Sequence, residues 1–82
     1  MKLSVTITVE EMEPKLLDIT CKSLEPEVGE EEKLSRGKVD LYCDNNRITI
    51  RLESDKLSNT EAMLSSYINL LKIIFDVHEA NL

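Results

Sequence analysis

The last third of the chain constrains the fold most, because residues 58–79 contain neither glycine nor proline and are apolar around most of a helical circumference. Projected at about 100° per residue, the α-helical angle, the apolar side chains of residues 61–79 fall within one arc of about 240°. This arc contains Ala62, Met63, Leu64, Tyr67, Ile68, Leu70, Leu71, Ile73, Ile74, Phe75 and Val77. A helix lying on one face of a sheet needs an apolar stripe of only about 100° or somewhat more.

The predicted helix therefore has apolar surface left over, of a size that monomers rarely expose. We expect this surface to contact another protein, either in a groove or in a helical bundle. The alternative is that a neighbouring helix of the same chain packs so tightly that only a ragged apolar edge remains.

Three stretches alternate between apolar and polar residues, which is typical of half-buried β-strands. They span residues 3–9, 39–43 and 48–52. The sequence Asp44-Asn45-Asn46 lies between the last two and consists of residues that tolerate the left-handed backbone of a tight turn, which predicts a hairpin. One face of the sheet is aliphatic and the other carries hydroxyl and charged groups, so helices are expected on one side only.

Residues 11–24 are predicted to form a first, amphipathic helix, because Met12, Leu16 and Ile19 recur at helical spacing and Pro14 suits a first turn. The predicted order of elements is strand, helix, strand, strand, helix. Residues 1–82 are thus expected to form a single α+β domain, with two layers made of a three-stranded antiparallel sheet and two helices on one of its faces.

Residues 25–38 contain Pro26, both glycines and the acidic run 30–32, a composition that predicts a solvated loop. The alternative is a loop that becomes ordered against a basic partner. Further along, Ser58 followed three residues later by Glu61 is a capping-box pattern, which predicts the start of the second helix.

The two cysteines, Cys21 and Cys43, have neither the number nor the spacing of a disulfide framework or a zinc site. Both fall on predicted apolar faces, so we expect two reduced core residues. A chain of 82 residues buries only roughly 60% of the surface that its unfolded form exposes, and such small domains usually need disulfides, metals or association. Association is then the remaining source of buried surface.

Sixteen acidic and ten basic residues give a net charge of -6, which argues against the phosphate contacts on which nucleic-acid binding depends. The N-terminus is unlike a signal peptide, and no stretch approaches the roughly 18 apolar residues of a membrane span, so we expect a cytoplasmic protein. His78, the only histidine, is expected to pack at an interface or near a helix C-terminus. The sequence predicts no enzyme activity, no cofactor and no metal site, because it offers no activated nucleophile, phosphate loop or ligand cluster.

Short motifs along nearly the whole chain resemble the Pcc (CTAG-type) small subunits of the KEOPS complex. They are Ser-Leu-Glu-Pro-Glu at 23–27, Ile-Thr-Ile-Arg-Leu at 48–52 and Ala-Met-Leu-Ser-Ser-Tyr-Ile at 62–68. The resemblance implies a non-catalytic, dimerising subunit that binds the catalytic threonylcarbamoyl-transferase subunit through its helices. That complex makes threonylcarbamoyladenosine at position 37 of transfer RNAs. The partner-binding residues implied are Leu16, Leu17, Met63, Ser66, Tyr67, Leu70, Leu71 and Ile74.

Two positions depart from the family pattern, since Glu61 stands where an arginine is usual and Ser65 where an asparagine is usual. The departures leave open a divergent paralogue, similar to the additional small subunit of archaeal KEOPS, that forms a heterodimer with the ordinary subunit. A rival of another class is a small RNA-binding module that uses Lys38, Arg47 and Arg51 on the open sheet face. In the favoured interpretation, this chain contacts transfer RNA only indirectly, through the complex.

Overall fold

The computed structural model describes residues 1–80, in which three strands and two helices follow the predicted order. The elements are β1 (Leu3–Val9), α1 (Pro14–Leu34), β2 (Lys38–Cys43), β3 (Ile48–Ser54) and α2 (Leu57–Ala80). The α+β class and the antiparallel three-stranded sheet are therefore confirmed. Neither of the two described helices has the length and hydropathy needed to cross a membrane.

The sheet has the strand order β1-β3-β2, with β3 paired antiparallel to both neighbours. Leu52 of β3 lies opposite both Val5 and Val39, so aliphatic residues of all three strands share one face. Ile48, Ile50 and Leu52 are fully buried, whereas the inward residues of the edge strand β1 are only half-buried. The core therefore lies between the central strand and the helices.

The first helix begins and ends later than predicted, since it spans Pro14–Leu34 and not residues 11–24. Most of the predicted loop, residues 25–38, belongs to this helix, which continues through the exposed Pro26. Thr20, Leu24, Val28 and Glu31 form one stripe at spacings of four, four and three residues, and the stripe packs towards the sheet along the length of α1. The loop prediction was wrong because it rested on Pro26, the glycines and the acidic run, whereas Val28 and Glu31 are packed and continue the helix beyond them.

The cysteine prediction was also wrong, because Cys21 of α1 and Cys43 of β2 form a disulfide. Their Cα atoms are 6.5 Å apart, inside the range that a disulfide spans. The pairing follows from α1 packing across β2. This is a tertiary relation between residues 22 positions apart in the chain, which spacing rules for cysteine motifs do not capture.

The hairpin between β2 and β3 is present, but its turn differs from the one predicted. Its Asp44 N–H donates to the Arg47 carbonyl at 2.9 Å. Among the described non-glycine residues, positive φ occurs at Glu11 (57°) and Ser35 (56°) and not in the turn. Glu11 redirects the chain so that the buried Met12 can donate its N–H to the Asn46 carbonyl at 2.8 Å.

The second helix begins at Leu57, so Ser58 and Glu61 lie within it and do not form a capping box at its start. The preceding turn is held instead by Ser54, whose hydroxyl accepts the N–H of Lys56 at 3.1 Å. The hydroxyl also donates to the Arg36 carbonyl at 3.1 Å. This single side chain therefore connects the start of α2 to the segment that leads from α1 into β2.

Candidate functional site

The N-terminal half of α1 and the C-terminal half of α2 diverge enough to leave a groove of about 540 Å³ between them. The two helices are antiparallel, because the groove joins residues 13–23 of one to residues 73–78 of the other. Its lining consists of Glu13, Lys15, Ile19, Ser23, Ile73, Ile74, Val77 and His78. Four of these eight residues are large and aliphatic, so the floor and walls of the groove are mainly apolar.

Three of the aliphatic side chains in the groove are exposed. Ile73 and Val77 retain 61% and 56% of their accessible surface, and Ile19 retains 41%. Ile74 is half-buried and packs on the core below them. A single exposed aliphatic residue is ordinary, but a contiguous cluster that lines a concave surface is a feature of interaction sites. The apolar arc predicted for the second helix is therefore wider than the fold covers.

One end of the groove is closed by a contact between the last turn of α2 and the residue that precedes α1. His78 Nε2 lies 2.6 Å from Glu13 Oε1, across 65 residues of sequence. His78 is half-buried in the last turn of α2, and Glu13 is the residue that immediately precedes α1. The histidine therefore helps to fix the separation of the two helices at the mouth of the groove.

The other end of the helix pair is packed around an ion pair between the buried Glu31 and the half-buried Arg36. Glu31 is only 4% exposed and accepts two hydrogen bonds from the Arg36 guanidinium, one of them from Nε at 3.1 Å. The hydrogen bond from Arg36 to Glu31 raises the pKa of the guanidinium above its ordinary value. Glu31 was predicted to lie in a solvated acidic run, and that prediction was wrong because its cationic partner comes from the same chain.

Tyr67 lies beside this ion pair and is 1% exposed. Its hydroxyl has no hydrogen-bond partner among the described residues. Burial raises the pKa of Tyr67 to about 12, and the negative charges of Glu31 and Glu27 act in the same direction. The hydroxyl is thus held neutral and unsatisfied within the core, at a cost to stability.

The predicted partner-binding residues occupy two layers. Met63, Tyr67 and Leu71 lie in the core, where they hold α2 against the sheet. Half-buried positions next to the core are occupied by Leu16, Leu17, Ser66, Leu70 and Ile74. The Ser66 hydroxyl donates to the Ala62 carbonyl of its own helix at 3.0 Å. Partner binding by these residues stays a prediction, and for the three core residues any contribution would be indirect.

The exposed groove residues Ile19, Ile73 and Val77 were not among the predicted site residues. A signal for two of them was present, because Ile73 and Val77 belong to the apolar arc of the last helix. The motif at 62–68 predicted a site in the opposite half of α2. The periodicity of either helix alone does not show whether its apolar face packs against the other helix or diverges from it.

Each of the three basic residues considered for RNA binding has an acidic neighbour, and Arg47 lies in the hairpin turn that precedes β3. Lys38 lies 3.9 Å from Asp40, Arg47 lies 3.6 Å from Asp44, and Arg51 lies 3.0 Å from Glu53. These ion pairs reduce the positive charge that the face could offer to phosphates, which weakens the case for an RNA-binding sheet.

Glu53, on the same face, also contacts Lys2, with 3.3 Å between the charged atoms. The hydrogen bond from Lys2 lowers the pKa of the Glu53 carboxyl, and the charges of Arg51 and Lys38 contribute to the shift. Lowering of this pKa keeps the carboxylate negative in the middle of the basic residues. The open face is thus a mixed-charge surface.

Comparison with protein families gives one match that spans the fold. The family model described as "Transcription factor Pcc1" matches residues 4–79, which include all of α1, β2 and β3 and nearly all of β1 and α2. No curated protein matches the chain.

Proposed function

This chain belongs to the Pcc1 family, and on that premise we propose that it is a non-catalytic, dimerising subunit of the KEOPS complex. Proteins of the family are KEOPS-associated subunits. In the proposed role, the chain supports the catalytic subunit while that subunit forms N6-threonylcarbamoyladenosine at position 37 of transfer RNA. The catalytic chemistry belongs to the partner, and this chain contributes binding surface.

The groove between α1 and α2 is the observation that supports the proposal most directly. Ile19, Ile73 and Val77 offer exposed aliphatic surface in a concave arrangement that an amphipathic helix can enter. Burying this surface would supply association energy that a chain of this size cannot obtain from its own core. Leu16, Leu17, Leu70 and Ile74 are half-buried against the hydrophobic core, and Ile74 also lines the groove.

The proposal is tested by size-exclusion chromatography with light scattering on the chain alone and mixed with a KEOPS catalytic subunit. The informative variant is Ile73→Asp, which places a charge in the groove. Leu57→Asp is a matched control, because Leu57 lies in the same helix with 59% exposure but outside the groove. We expect Ile73→Asp to abolish association and Leu57→Asp to leave it unchanged.

Two results would contradict the proposal. A wild-type chain that stays monomeric and does not bind the catalytic subunit would remove the proposed role. Equal association of the Ile73→Asp and wild-type proteins would remove the groove from it. Circular dichroism of each variant separates loss of binding from loss of folding.

A divergent paralogue remains the second candidate, because the two departures from the family pattern both lie on the surface. Glu61 and Ser65 are exposed on α2, so the substitutions alter the surface of the chain without requiring any change in its core. A paralogue would be a monomer or weak dimer alone and would form a heterodimer with the ordinary small subunit. Light scattering of the mixture distinguishes it from an ordinary subunit, which dimerises by itself.

The RNA-binding alternative is tested by titrating the isolated chain with transfer RNA at several salt concentrations. Phosphate contacts would give tight binding that weakens steeply as salt rises. We expect weak binding with little salt dependence, because the basic side chains of the open sheet face lie close to acidic ones.

A further inference from the structure

The disulfide joins two elements that would otherwise meet only through packing. Cys21 is half-buried near the middle of α1, and Cys43 is exposed at the end of β2 beside the hairpin turn. A small thiol or disulfide can therefore reach the Cys43 sulfur from solvent, which thiol–disulfide exchange requires. The bond is thus placed where it can be made and broken in the folded protein.

The half of α1 that lines the groove depends on this bond more than the other half does. Between residues 14 and 23, only Thr20 is buried, and Leu16 and Leu17 are half-buried. Beyond this segment the helix is anchored by the fully buried Leu24 and by Glu31 with its ion pair. Cys21 lies two residues from Ile19 and two from Ser23, both of which line the groove.

We propose that Cys21 and Cys43 form a reversible thiol–disulfide switch that controls the order of the groove-lining half of α1 and thereby the binding of protein partners. The effect on binding rests on the function proposed above. In the oxidised form, the bond holds α1 against β2 and keeps the groove preformed. In the reduced form, residues 14–23 sample more conformations, and a partner must order them as it binds.

The oxidant is a low-molecular-weight disulfide of the glutathione type. The exposed Cys43 thiolate attacks one sulfur of that disulfide, so its S–S bond breaks, one thiolate leaves and a mixed disulfide forms. The Cys21 thiolate then attacks the Cys43 sulfur and displaces the second small thiolate. In total the two protein thiols lose two electrons and two protons, and the small disulfide is reduced to two thiols. An excess of small thiol reverses both steps.

The test compares oxidised and reduced wild-type protein by hydrogen–deuterium exchange, with the redox state verified by intact mass after thiol alkylation. We expect exchange in residues 14–23 to become roughly tenfold faster on reduction. The central strand, residues 48–54, serves as an internal reference and should keep its protection. The double variant Cys21→Ser/Cys43→Ser should show the fast exchange with or without reductant.

Association is then measured by light scattering in both redox states, with a second copy of this chain and with a KEOPS catalytic subunit as the partners. We expect binding to weaken roughly fivefold on reduction, because the partner must now order residues 14–23. The double variant should bind as weakly as the reduced protein and should not respond to oxidant.

The failure of this inference differs from the failure of the proposed function. Exchange that is equal in the two redox states would overturn the switch, and so would faster exchange with unchanged binding. Absence of association in both states would overturn the proposed function, and the exchange of residues 14–23 would then decide alone whether the disulfide controls the order of α1.

Discussion

The two ends of the antiparallel helix pair are built in opposite ways. We refer to the region around Glu31, Arg36, Gly37 and Tyr67 as the packed end, and to the region formed by residues 13–23 and 73–78 as the groove end. The packed end buries the Tyr67 ring and the Glu31 carboxylate, which the half-buried Arg36 neutralises. The groove end exposes aliphatic side chains and is held by a disulfide and the contact between Glu13 and His78.

The difference indicates that one end of this small domain serves folding and the other serves binding. At the packed end, intramolecular contacts satisfy the buried charge of Glu31, so substitutions there should affect folding. At the groove end, apolar surface remains for intermolecular contact, so substitutions there should affect binding.

Loss of the ion pair between Glu31 and Arg36 should have the largest effect on stability. Arg36→Ala leaves the Glu31 carboxylate buried without its cation, and we expect the free energy of unfolding to fall by about 3 kcal/mol. Lys33→Ala is the control, because Lys33 forms an ion pair with Glu30 in which both side chains are exposed. It should cost less than about 0.5 kcal/mol. Equal midpoints for the two variants in urea denaturation would show that the packed end does not depend on its charges.

Gly37 should be the next most sensitive position, because a Cβ atom there would overlap the Glu53 carbonyl oxygen and crowd the end of Met63. We expect Gly37→Ala to lower the free energy of unfolding by about 2 kcal/mol. Gly29→Ala provides the contrast, since a Cβ on that helical residue meets nothing within 4 Å. It should raise stability by about 0.5 kcal/mol. Denaturation curves of the two variants that shifted in the same direction would contradict this part of the comparison.

Tyr67→Phe should stabilise the protein by about 1 kcal/mol at neutral pH, because it removes a buried hydroxyl that has no partner among the described residues. The pKa of Tyr67, raised from 10.0 to about 12, also predicts a dependence on pH. The folded state holds the phenolic proton more tightly than the unfolded state does. The wild-type protein therefore keeps its full stability below pH 10 as far as Tyr67 is concerned, and it loses stability as the pH rises towards 12.

The free energies of unfolding of the wild-type and Tyr67→Phe proteins, measured between pH 9 and pH 12, test this dependence. The difference between them isolates Tyr67, because the lysines titrate in both proteins. The stability advantage of the phenylalanine variant should grow as the pH rises. A constant difference would mean that the hydroxyl titrates normally and is open to solvent.

Ile73→Asp should have the smallest effect on stability, since its side chain is mostly exposed at the groove end. We expect a change below about 0.5 kcal/mol in urea denaturation, although the same variant should lose association. A large loss of stability in the monomer would mean that the groove end contributes to the core, and the contrast between the two ends would then disappear.

The strands and their faces could be predicted from the sequence, because the alternation in residues 3–9 and 48–52 records burial on one side of a sheet. The length of α1 could not, because Pro26 and the acidic run are typical of loops when considered locally. Their effect is outweighed by Leu24 before the proline and by Val28 and Glu31 after it, which pack towards the sheet. That packing arises only in the tertiary structure, which also brings Arg36 to Glu31 as its ion-pair partner.

The existence of uncovered apolar surface could be predicted from the sequence, but its location on the fold could not. The width of the apolar arc indicated that α2 would remain partly uncovered. Which residues stay uncovered depends on the divergence of α1 from α2, and that depends on contacts such as Cys21 with Cys43 and Glu13 with His78. These pairs are 22 and 65 residues apart in the chain, beyond the reach of periodicity within one element.

The central position of β3 has a consequence for how the chain acquires its structure during synthesis. β2 and β3 are joined by a short turn and can pair as soon as both exist, but β1 pairs only with β3, across separations from 39 residues (Val9 with Ile48) to 51 (Leu3 with Ser54). Of the three described strands, β1 is thus synthesised first and paired last. Until residue 54 has emerged, this uncharged and largely β-branched segment stays unpaired, and unpaired strands of this kind favour aggregation.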